Sequence, residues 1–185
     1  MPDSGGPATP FAVRKARMQD VPSLLALINT YASEGAMLPR TAFEMSENIR
    51  DFTVVCDGAR VVGTAALHFY GSTVAEVRSL AVDREYKSRG LGKSLVEAVE
   101  REAVDFGLEL LFAFTYVPNF FEKLGFVVVD RGELPLKAWK DCLRCPKFQS
   151  CDEIAMRKVL RPDGIAAVTQ RKSEEPVLLP ILALG

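Results

Sequence analysis

The residues best suited to chemistry are a carboxylate and a guanidinium, Glu76 and Arg78, two positions apart in the β-rich stretch EVRSLAV. Side chains at positions i and i+2 of a strand project to the same face. A carboxylate takes a proton from an amine, and a guanidinium binds carboxylates through paired donors. The two residues are therefore candidates for one polar site, with two ordinary surface charges as the alternative.

A loop rich in glycine and basic residues follows, in the segment KSRGLGKS at positions 87–94. Lys87 stands where a phosphate-binding G-x-x-x-x-G-K-[ST] loop needs glycine, and Leu95 stands where the dinucleotide motif G-x-G-x-x-G needs its last glycine. A glycine loop that opens a helix nevertheless presents unpaired N–H groups and the positive end of the helix dipole. The loop is therefore predicted to bind a pyrophosphate, with a tight turn carrying a solvated basic face as the alternative.

Three of the four cysteines, Cys142, Cys145 and Cys151, form the pattern C-x-x-C-x5-C. A closed zinc site needs four ligands, and no neighbouring histidine or cysteine supplies the fourth. Cys56 would have to come from across the fold. We predict no metal, with a structural or redox role for these cysteines as the alternative.

His68 is the only histidine, and it ends a predicted strand. Histidine changes charge near neutral pH, so it is a candidate base. We interpret His68 as a partly buried strand residue with a satisfied hydrogen bond, and a role as base is the alternative.

The composition predicts one globular domain. The chain has 185 residues and a net charge of −1, so it offers no basic field to a nucleic acid. Its first residues lack the basic start and apolar run of a secretory segment, and the apolar run PVLLPILALG is broken by Pro180 and too short to span a bilayer. We expect a cytoplasmic protein with reduced thiols that binds neither nucleic acid nor membrane.

Strands and helices alternate along the sequence. Apolar spacing predicts one helix over about 21–35, capped by Asp20, and another over 91–107. The Asp57-Gly58 pair predicts a hairpin turn within FTVVCDGARVVGTAALHFY. The other predicted strands are FAVRKA, AEVRSLAVD, LELLFAFT, FVVVD and CDEIAMRKVL, and the short predicted helices are TAFEMSENIRD and PNFFEKL.

The segment 76–115 has the pattern strand, loop, helix, strand. Two strands joined in this way should be parallel, with a right-handed crossover, while the rest of the sheet is built from hairpins. We therefore predict an α/β (α+β) fold with a mixed central sheet of about six to seven strands flanked by helices. Residues 1–10 are predicted to be a disordered leader, 11–160 the domain and 161–185 a C-terminal tail.

Two longer segments, EVRSLAVDREYKSRGLGKSLVEAVEREA and LFAFTYVPNFFEKLGF, resemble the GNAT superfamily of acetyl-CoA-dependent N-acetyltransferases. The family's [RQ]-x-x-G-x-[GA] pattern falls on Lys87, Gly90 and Gly92, with lysine in place of arginine or glutamine. The resemblance implies a GNAT fold that binds acetyl-CoA as co-substrate and hydrolyses no nucleotide. The residues it implies for the coenzyme are Leu80, Ala81, Val82, Lys87, Ser88, Arg89, Gly90, Leu91, Gly92, Lys93 and Ser94.

The segments YASEGAMLPRT and AEVRSLAV, with the region from FFEKLGF to CDEIAM, resemble the acetyltransferase domain of bacterial N-acetylglutamate synthases, in a short stand-alone form. This resemblance implies that Arg40 lies over the substrate cleft, and Arg78 and Lys147 are further candidates to bind the carboxylates of glutamate. It places Glu76 where some GNAT enzymes have their base. The main-chain N–H near Leu80 is a candidate donor to the oxyanion, which requires a β-bulge that frees this amide.

Many GNAT enzymes protonate the leaving thiolate with a tyrosine, and Phe121 occupies that position here. A thiol with a pKa of about 8.5 is already a fair leaving group, so water could suffice. Tyr116 is a candidate substitute, with core packing as the alternative.

The resemblance therefore predicts an amino-acid N-acetyltransferase that acetylates glutamate, the first step of arginine biosynthesis. One rival is an acetyltransferase for another small amine or a protein N-terminus. A rival of another class is a coenzyme A-binding regulatory module without turnover, which the missing tyrosine favours. A homodimer is an option that the sequence leaves open.

Overall fold

The computed structural model describes residues 11–134, 143, 145, 147 and 150–160, so the predicted leader and tail lie outside the described residues. In this part of the chain seven strands form one sheet. The strands are β1 (Ala12–Lys15), β2 (Phe52–Asp57), β3 (Arg60–Phe69), β4 (Val74–Val82), β5 (Leu110–Thr115), β6 (Val127–Val128) and β7 (Ile154–Val159). The α-helices are α1 (Val21–Ser33), α2 (Ala42–Glu47), α3 (Leu91–Asp105) and α4 (Pro118–Glu122).

The strand order in the sheet is β1-β2-β3-β4-β5-β7-β6. Neighbouring strands are antiparallel except for β4 and β5, which are parallel and joined through α3. The β2–β3 hairpin turns at the predicted Asp57-Gly58 pair, where Gly58 has a φ of 57°. The predicted mixed sheet with one parallel crossover is confirmed.

Apolar clusters cover the two faces of the sheet. Val54 and Val55 are neighbours in β2 but belong to different clusters, because successive strand residues point to opposite faces. The helix α1 packs Leu24 and Ile28 on the face of Val54. The helix α3 packs on the face of Val55, and its buried residues are Leu91, Leu95, Val96, Val99 and Ala103.

The parallel pairing of β4 with β5 is short. It joins Val74 to Leu110, Ala75 to Leu111 and Glu76 to Phe112, and both strands continue beyond these pairs. Two neighbouring strands that continue without pairing diverge. The sheet therefore opens after Glu76, at the carboxyl end of β4.

Asp20 stands at the predicted N-cap position of α1, but its side chain makes no capping bond to the helix. Its carboxylate accepts two hydrogen bonds from the Arg14 guanidinium, at 2.7 and 3.0 Å, and one from the Arg17 N–H at 2.7 Å. The hydrogen bond from Arg14 lowers the pKa of Asp20 below its usual 3.8. The predicted capping bond is absent because a cation six residues back in the chain, Arg14, binds this carboxylate.

Replacing Asp20 with asparagine should lower the free energy of unfolding by about 2–3 kcal/mol at pH 7, because the buried side chain at position 20 no longer pairs as a charge with the partly exposed Arg14. A carboxylate with a lowered pKa stabilises the fold above the pKa of the unfolded chain, and that contribution disappears as pH falls through the folded value. Urea unfolding should therefore show a difference between wild type and D20N that is full at neutral pH and shrinks below about pH 4. The control is E102Q, which breaks the exposed Lys15–Glu102 pair; a D20N protein as stable as E102Q would contradict the prediction.

Candidate active site

A cavity of about 570 Å³ occupies the gap between the diverging strands β4 and β5. Residues 76–82 form one wall and residues 114–117 form the other. Elements on both faces of the sheet complete it, with Tyr31 from α1 on one side and Gly92 from α3 on the other. This volume lies in the range of small-molecule and cofactor sites.

Charged side chains in the cavity are mostly basic. Among the described residues that line it, the basic ones are Arg40, Arg78, Lys87, Arg131 and Lys147, and the carboxylic ones are Glu76 and Glu153. The predicted base and the three predicted substrate-binding residues are therefore brought together in one cavity. The cavity suits an anionic ligand better than a polycation, because it presents five basic groups against two carboxylic ones.

Glu76 is half-buried on β4, at the last pair that β4 makes with β5. The Tyr70 hydroxyl donates a hydrogen bond of 3.0 Å to Glu76 Oε2. Its partner across the β3–β4 pair is His68, and its partner across the β4–β5 pair is the buried Phe112. The Glu76 carboxylate therefore lines the cavity, while the neighbouring side chains leave the residue only partly exposed to water.

Arg40 is held in place through its main chain. The side chain of Asn29, on α1, accepts a hydrogen bond of 2.9 Å from the Arg40 N–H and donates one of 3.0 Å to the Arg40 carbonyl. This double contact fixes the segment between α1 and α2 against the helix. The Arg40 side chain therefore reaches the cavity from a defined backbone position.

A β-bulge interrupts β4 beside the cavity. Thr64 pairs with Ala81 and Ala66 pairs with Arg78, so Ser79 and Leu80 together face one residue of β3. Ser79 has a φ of 52°, in the left-handed region that few residues other than glycine adopt. Two residues opposite one displace an amide from the regular ladder. The bulge that the Leu80 hypothesis requires is thus present at Leu80.

The glycine loop has the backbone of an anion-binding helix start. Gly90 precedes α3 with a φ of 78°, Ser88 has a φ of 64°, and both residues are exposed. The first main-chain bond within α3 runs from the Ser94 N–H to the Gly90 carbonyl at 3.1 Å. The N–H groups before Ser94 have no partner in the preceding turn of the helix, and they lie at the positive end of its dipole.

Only part of the predicted coenzyme set lines the cavity itself. The members of this set that line the cavity are Leu80, Ala81, Val82, Lys87 and Gly92. The other predicted residues lie on the adjoining loop and the first turn of α3, and these are Ser88, Arg89, Gly90, Leu91, Lys93 and Ser94. Leu91 is 4% exposed and packs in the core, so its side chain is not available to a ligand.

Basic side chains of the loop lie over tyrosine rings. Lys87 Nζ is 5.4 Å from the centroid of the Tyr31 ring, and the Arg89 guanidinium is 4.9 Å from that of Tyr86. Such contacts hold a cation near a surface without neutralising it. Lys93 differs, because its Nζ lies 3.7 Å from a carboxylate oxygen of Glu97.

Lys147 lies in the cavity wall beside Tyr116. Its Nζ donates a hydrogen bond of 3.2 Å to the Tyr116 hydroxyl and lies 3.5 Å from an Asp152 carboxylate oxygen. The hydrogen bond to Tyr116 raises the pKa of Lys147, and burial raises the pKa of Tyr116. The core-packing interpretation of Tyr116 is wrong, because this residue is 38% exposed and lines the cavity.

The sequence reasoning missed Glu153 and Arg131. Glu153 lines the cavity just before β7, and burial raises the pKa of its carboxyl. The Cys151 thiol lies 3.8 Å from Glu153 Oε2, while Arg131 donates hydrogen bonds to the main-chain carbonyls of Cys151 and Glu153. No local signal identifies these residues, because they reach the cavity through the pairing of β7 with β5.

Phe121 is 3% exposed and packs edge-on against Phe120 and Phe126. It also lines the cavity, so the position of the usual tyrosine is filled by an apolar ring. His68 matches its interpretation as a partly buried, hydrogen-bonded residue, since its Nδ1 lies 2.8 Å from Asp51 Oδ2.

Among the cysteines, Cys56 is buried at 2% exposure, while Cys145 and Cys151 line the cavity as free thiols. Cys142 lies outside the described residues. Within the described ranges no group of three or more histidine, cysteine, aspartate or glutamate residues is arranged to hold a metal ion. Over the same ranges, no helix combines the length and the apolar character needed to cross a bilayer.

The sequence model of the Acetyltransferase (GNAT) family matches residues 21–126, which include the bulged strand, the glycine loop and α3. The chain belongs to the GNAT acetyltransferase family. It is an acetyltransferase of mixed α/β fold, as the resemblance predicted.

Two GNAT relatives span most of the chain. An uncharacterized N-acetyltransferase of Chlorobaculum tepidum is 40% identical over 154 residues, which are 83% of this chain and 99% of the relative. An amino-acid acetyltransferase of Mycobacterium tuberculosis is 32% identical over 135 residues, which are 71% of this chain and 77% of the relative.

Among solved structures, the N-acetylglutamate synthase of Neisseria gonorrhoeae, in complex with coenzyme A and N-acetyl-glutamate, is similar with a TM-score of 0.75. The likeness covers 83% of this chain and 36% of the synthase, at 24% identity. At this identity the comparison shows a shared fold.

Proposed function

We propose that this GNAT enzyme transfers the acetyl group of acetyl-CoA to the α-amine of an amino acid, and that the amino acid is glutamate. The product would be N-acetylglutamate, formed in the first step of arginine biosynthesis. The observation that carries this proposal is the cavity, which places Glu76 among Arg40, Arg78 and Lys147. A cytoplasmic location and the domain limits 11–160 stay predictions that go with this assignment.

The coenzyme is assigned to the loop side of the cavity. The N–H groups at the start of α3 suit the pyrophosphate, because Gly90 and Gly92 leave the backbone open and the helix dipole favours an anion. Lys87 adds a positive charge at the cavity rim. The bulged strand next to Leu80 would lie along the arm that ends in the thioester.

The amino acid is assigned to the part of the cavity that is lined by Arg40, Arg78 and Lys147. Glutamate carries two carboxylates, and a specific site for it needs at least two donors. Arg40 and Arg78 are guanidinium groups with the fork geometry that binds a carboxylate bidentately, and Lys147 supplies a third cation. The excess of basic groups supports a dicarboxylic amine over a polyamine.

The transfer requires a free amine and a polarised thioester. Glu76 would take a proton from the ammonium of the amino acid, and the amine would then attack the thioester carbon. The main-chain N–H at Leu80 would stabilise the oxyanion of the tetrahedral intermediate. As the tetrahedral intermediate collapses, the nitrogen would give its second proton to solvent. Because Phe121 carries no hydroxyl, water would protonate the departing thiolate, with Tyr116 as the alternative donor on the cavity wall.

The comparisons support the amino-acid class of acceptor. The Mycobacterium tuberculosis relative is named an amino-acid acetyltransferase, and the Neisseria gonorrhoeae neighbour is a synthase solved with N-acetyl-glutamate. The Chlorobaculum tepidum relative is uncharacterized. The choice of glutamate therefore rests on the charges of the cavity.

A second candidate is a coenzyme A-binding module without turnover, which the apolar ring of Phe121 favours. In that case the loop would bind coenzyme A while the cavity catalyses no transfer.

The full-length wild type should release coenzyme A thiol from acetyl-CoA when glutamate is present. We expect kcat/KM for glutamate to exceed that for glutamine by at least about tenfold, because glutamine lacks the second charge that the arginines would bind. A panel with aspartate, spermidine and an N-terminal peptide measures the rivals. Turnover of another amine in preference to glutamate would overturn the substrate, and coenzyme binding without any turnover would favour the module.

A further inference from the structure

Glu76 is followed by a chain of neighbouring side chains that leads away from the cavity, joined by hydrogen bonds at its two ends and by a ring contact between them. It begins with Tyr70, whose hydroxyl donates to Glu76 Oε2 at 3.0 Å. The Tyr70 ring is fixed on two sides, edge-on against His68 at 5.1 Å and tilted against the buried Phe112 at 5.3 Å between ring centroids. A ring held in this way presents its hydroxyl to the carboxylate in one orientation.

His68 is the next member of the chain. It is the residue paired with Glu76 across the antiparallel β3–β4 ladder, so the two side chains project from the same face. Side chains paired in this way have Cβ atoms about 4.5–5.5 Å apart. The histidine therefore stands beside the carboxylate.

Asp51 fixes the tautomer of His68. Its Oδ2 lies 2.8 Å from His68 Nδ1. An ionised carboxylate only accepts hydrogen bonds, so Nδ1 carries the proton and Nε2 carries the lone pair. The side chains of His68 and Asp51 are 24% and 20% exposed, so this end of the chain reaches solvent.

We propose that Tyr70 is a positioning residue for Glu76, and that the His68–Asp51 pair relays to solvent the proton that Glu76 takes from the amine. This inference rests on the proposed role of Glu76 as the base. It adds three residues to the machinery of transfer, none of which lies in the glycine loop.

The relay conserves protons at each step. An N–H bond of the substrate ammonium breaks, and an O–H bond forms on Glu76. That O–H bond then breaks, and an N–H bond forms on Nε2 of His68, whose positive charge Asp51 stabilises. The imidazolium gives the proton to water, and both residues return to their starting state.

Other charged groups also act on Glu76. Arg78 extends from the same face of β4, while Arg40, Arg131, Lys147 and Glu153 line the cavity from the segments packed against it. These groups remain in every variant below. Any change in pH dependence between variants therefore reports the relay residues.

The test measures kcat at saturating acetyl-CoA from pH 6 to 9, with the amine that the wild type acetylates best. Y70F should lower kcat near neutral pH by about tenfold. Its rise in rate with pH should move to higher pH by about one unit, because the hydroxyl that stabilises the carboxylate form of Glu76 is lost. H68Q should lower kcat by a similar factor, with partial recovery when imidazole is added to the buffer, since a free base replaces the relay.

The matched control is Y86F. Tyr86 also donates to a carboxylate, Asp57 at 2.9 Å, but it lies outside the lining of the cavity. Y86F should keep the wild-type pH profile. Folded Y70F and H68Q proteins with wild-type rates and pH profiles would overturn the relay. If E76Q were inactive in the same experiment, the assignment of Glu76 as the base would still hold.

A second measurement is independent of activity. His68 is the only histidine of the chain, so its ¹⁵N imidazole signals need no assignment. In the wild type at high pH they should show the Nδ1–H tautomer, and D51A should lose this preference. An Nε2–H tautomer in the wild type would overturn the relay, and this result does not depend on turnover. Absence of turnover with every amine would instead refute the proposed function.

Discussion

The E76Q variant should lose kcat by about 10²–10⁴-fold near neutral pH. The amide keeps the shape of the side chain and its contact with Tyr70, but it takes no proton from the ammonium group of the substrate. As pH rises, more of the substrate amine is unprotonated in solution, so the rate depends less on the base. The loss should therefore shrink on the alkaline side of the pH–rate profile, which initial rates of thiol release measure directly.

Two further glutamine substitutions make this result specific. E102Q changes a carboxylate on α3 whose partner is the exposed Lys15, and its rate should match the wild type. E153Q changes the other carboxyl in the cavity. If E153Q is impaired across pH while E76Q is not, then Glu153 is the base and the assignment of Glu76 is wrong.

The R40A variant should lose about 2–4 kcal/mol in kcat/KM for glutamate, because a desolvated carboxylate is left without its partner. Most of the loss should appear in KM, since this contact serves the ground state and the transition state equally. R40K should recover only part, because an ammonium does not reproduce the planar bidentate contact. Steady-state kinetics with varied glutamate separate the two constants.

The affinity for acetyl-CoA provides the internal control for R40A. Arg40 is assigned to the amino acid and the glycine loop to the coenzyme, so coenzyme binding measured by calorimetry should change little. R101A, an exposed arginine of α3, should leave both substrates unaffected. Glutamate turnover that survives R40A intact would remove Arg40 from the substrate site.

The fold was predictable where signals are local. Asp57-Gly58 marks a turn through the conformational freedom of glycine, and the spacing of Leu95, Val99 and Ala103 marks the buried face of α3. These signals act within a few residues, so tertiary contacts do not alter them. Asp20 shows the limit of such local signals. Its carboxylate could accept hydrogen bonds from the start of α1 or from Arg14, and the folded structure shows that it accepts them from Arg14.

The site was predictable where it lies on one strand and one loop. Glu76, Arg78 and the glycine loop are close in sequence, and Arg40 was found through the resemblance. The bulge at Ser79 was not predictable, because serine with a positive φ has no sequence signature. Glu153 was missed because it reaches the cavity only when β7 pairs with β5.

The position of β7 has a consequence for how the protein is made. β5 ends at Thr115 and β7 begins at Ile154, and β7 lies between β5 and β6. While the chain emerges from the ribosome, the edge of β5 that will pair with β7 therefore has unpaired N–H and C=O groups. Such an edge can pair with a strand of another chain. Insertion of β7 closes this edge and adds Glu153 to the cavity wall at the same time. A nascent chain that has not yet delivered β7 thus combines an unpaired strand edge with a cavity wall that lacks Glu153.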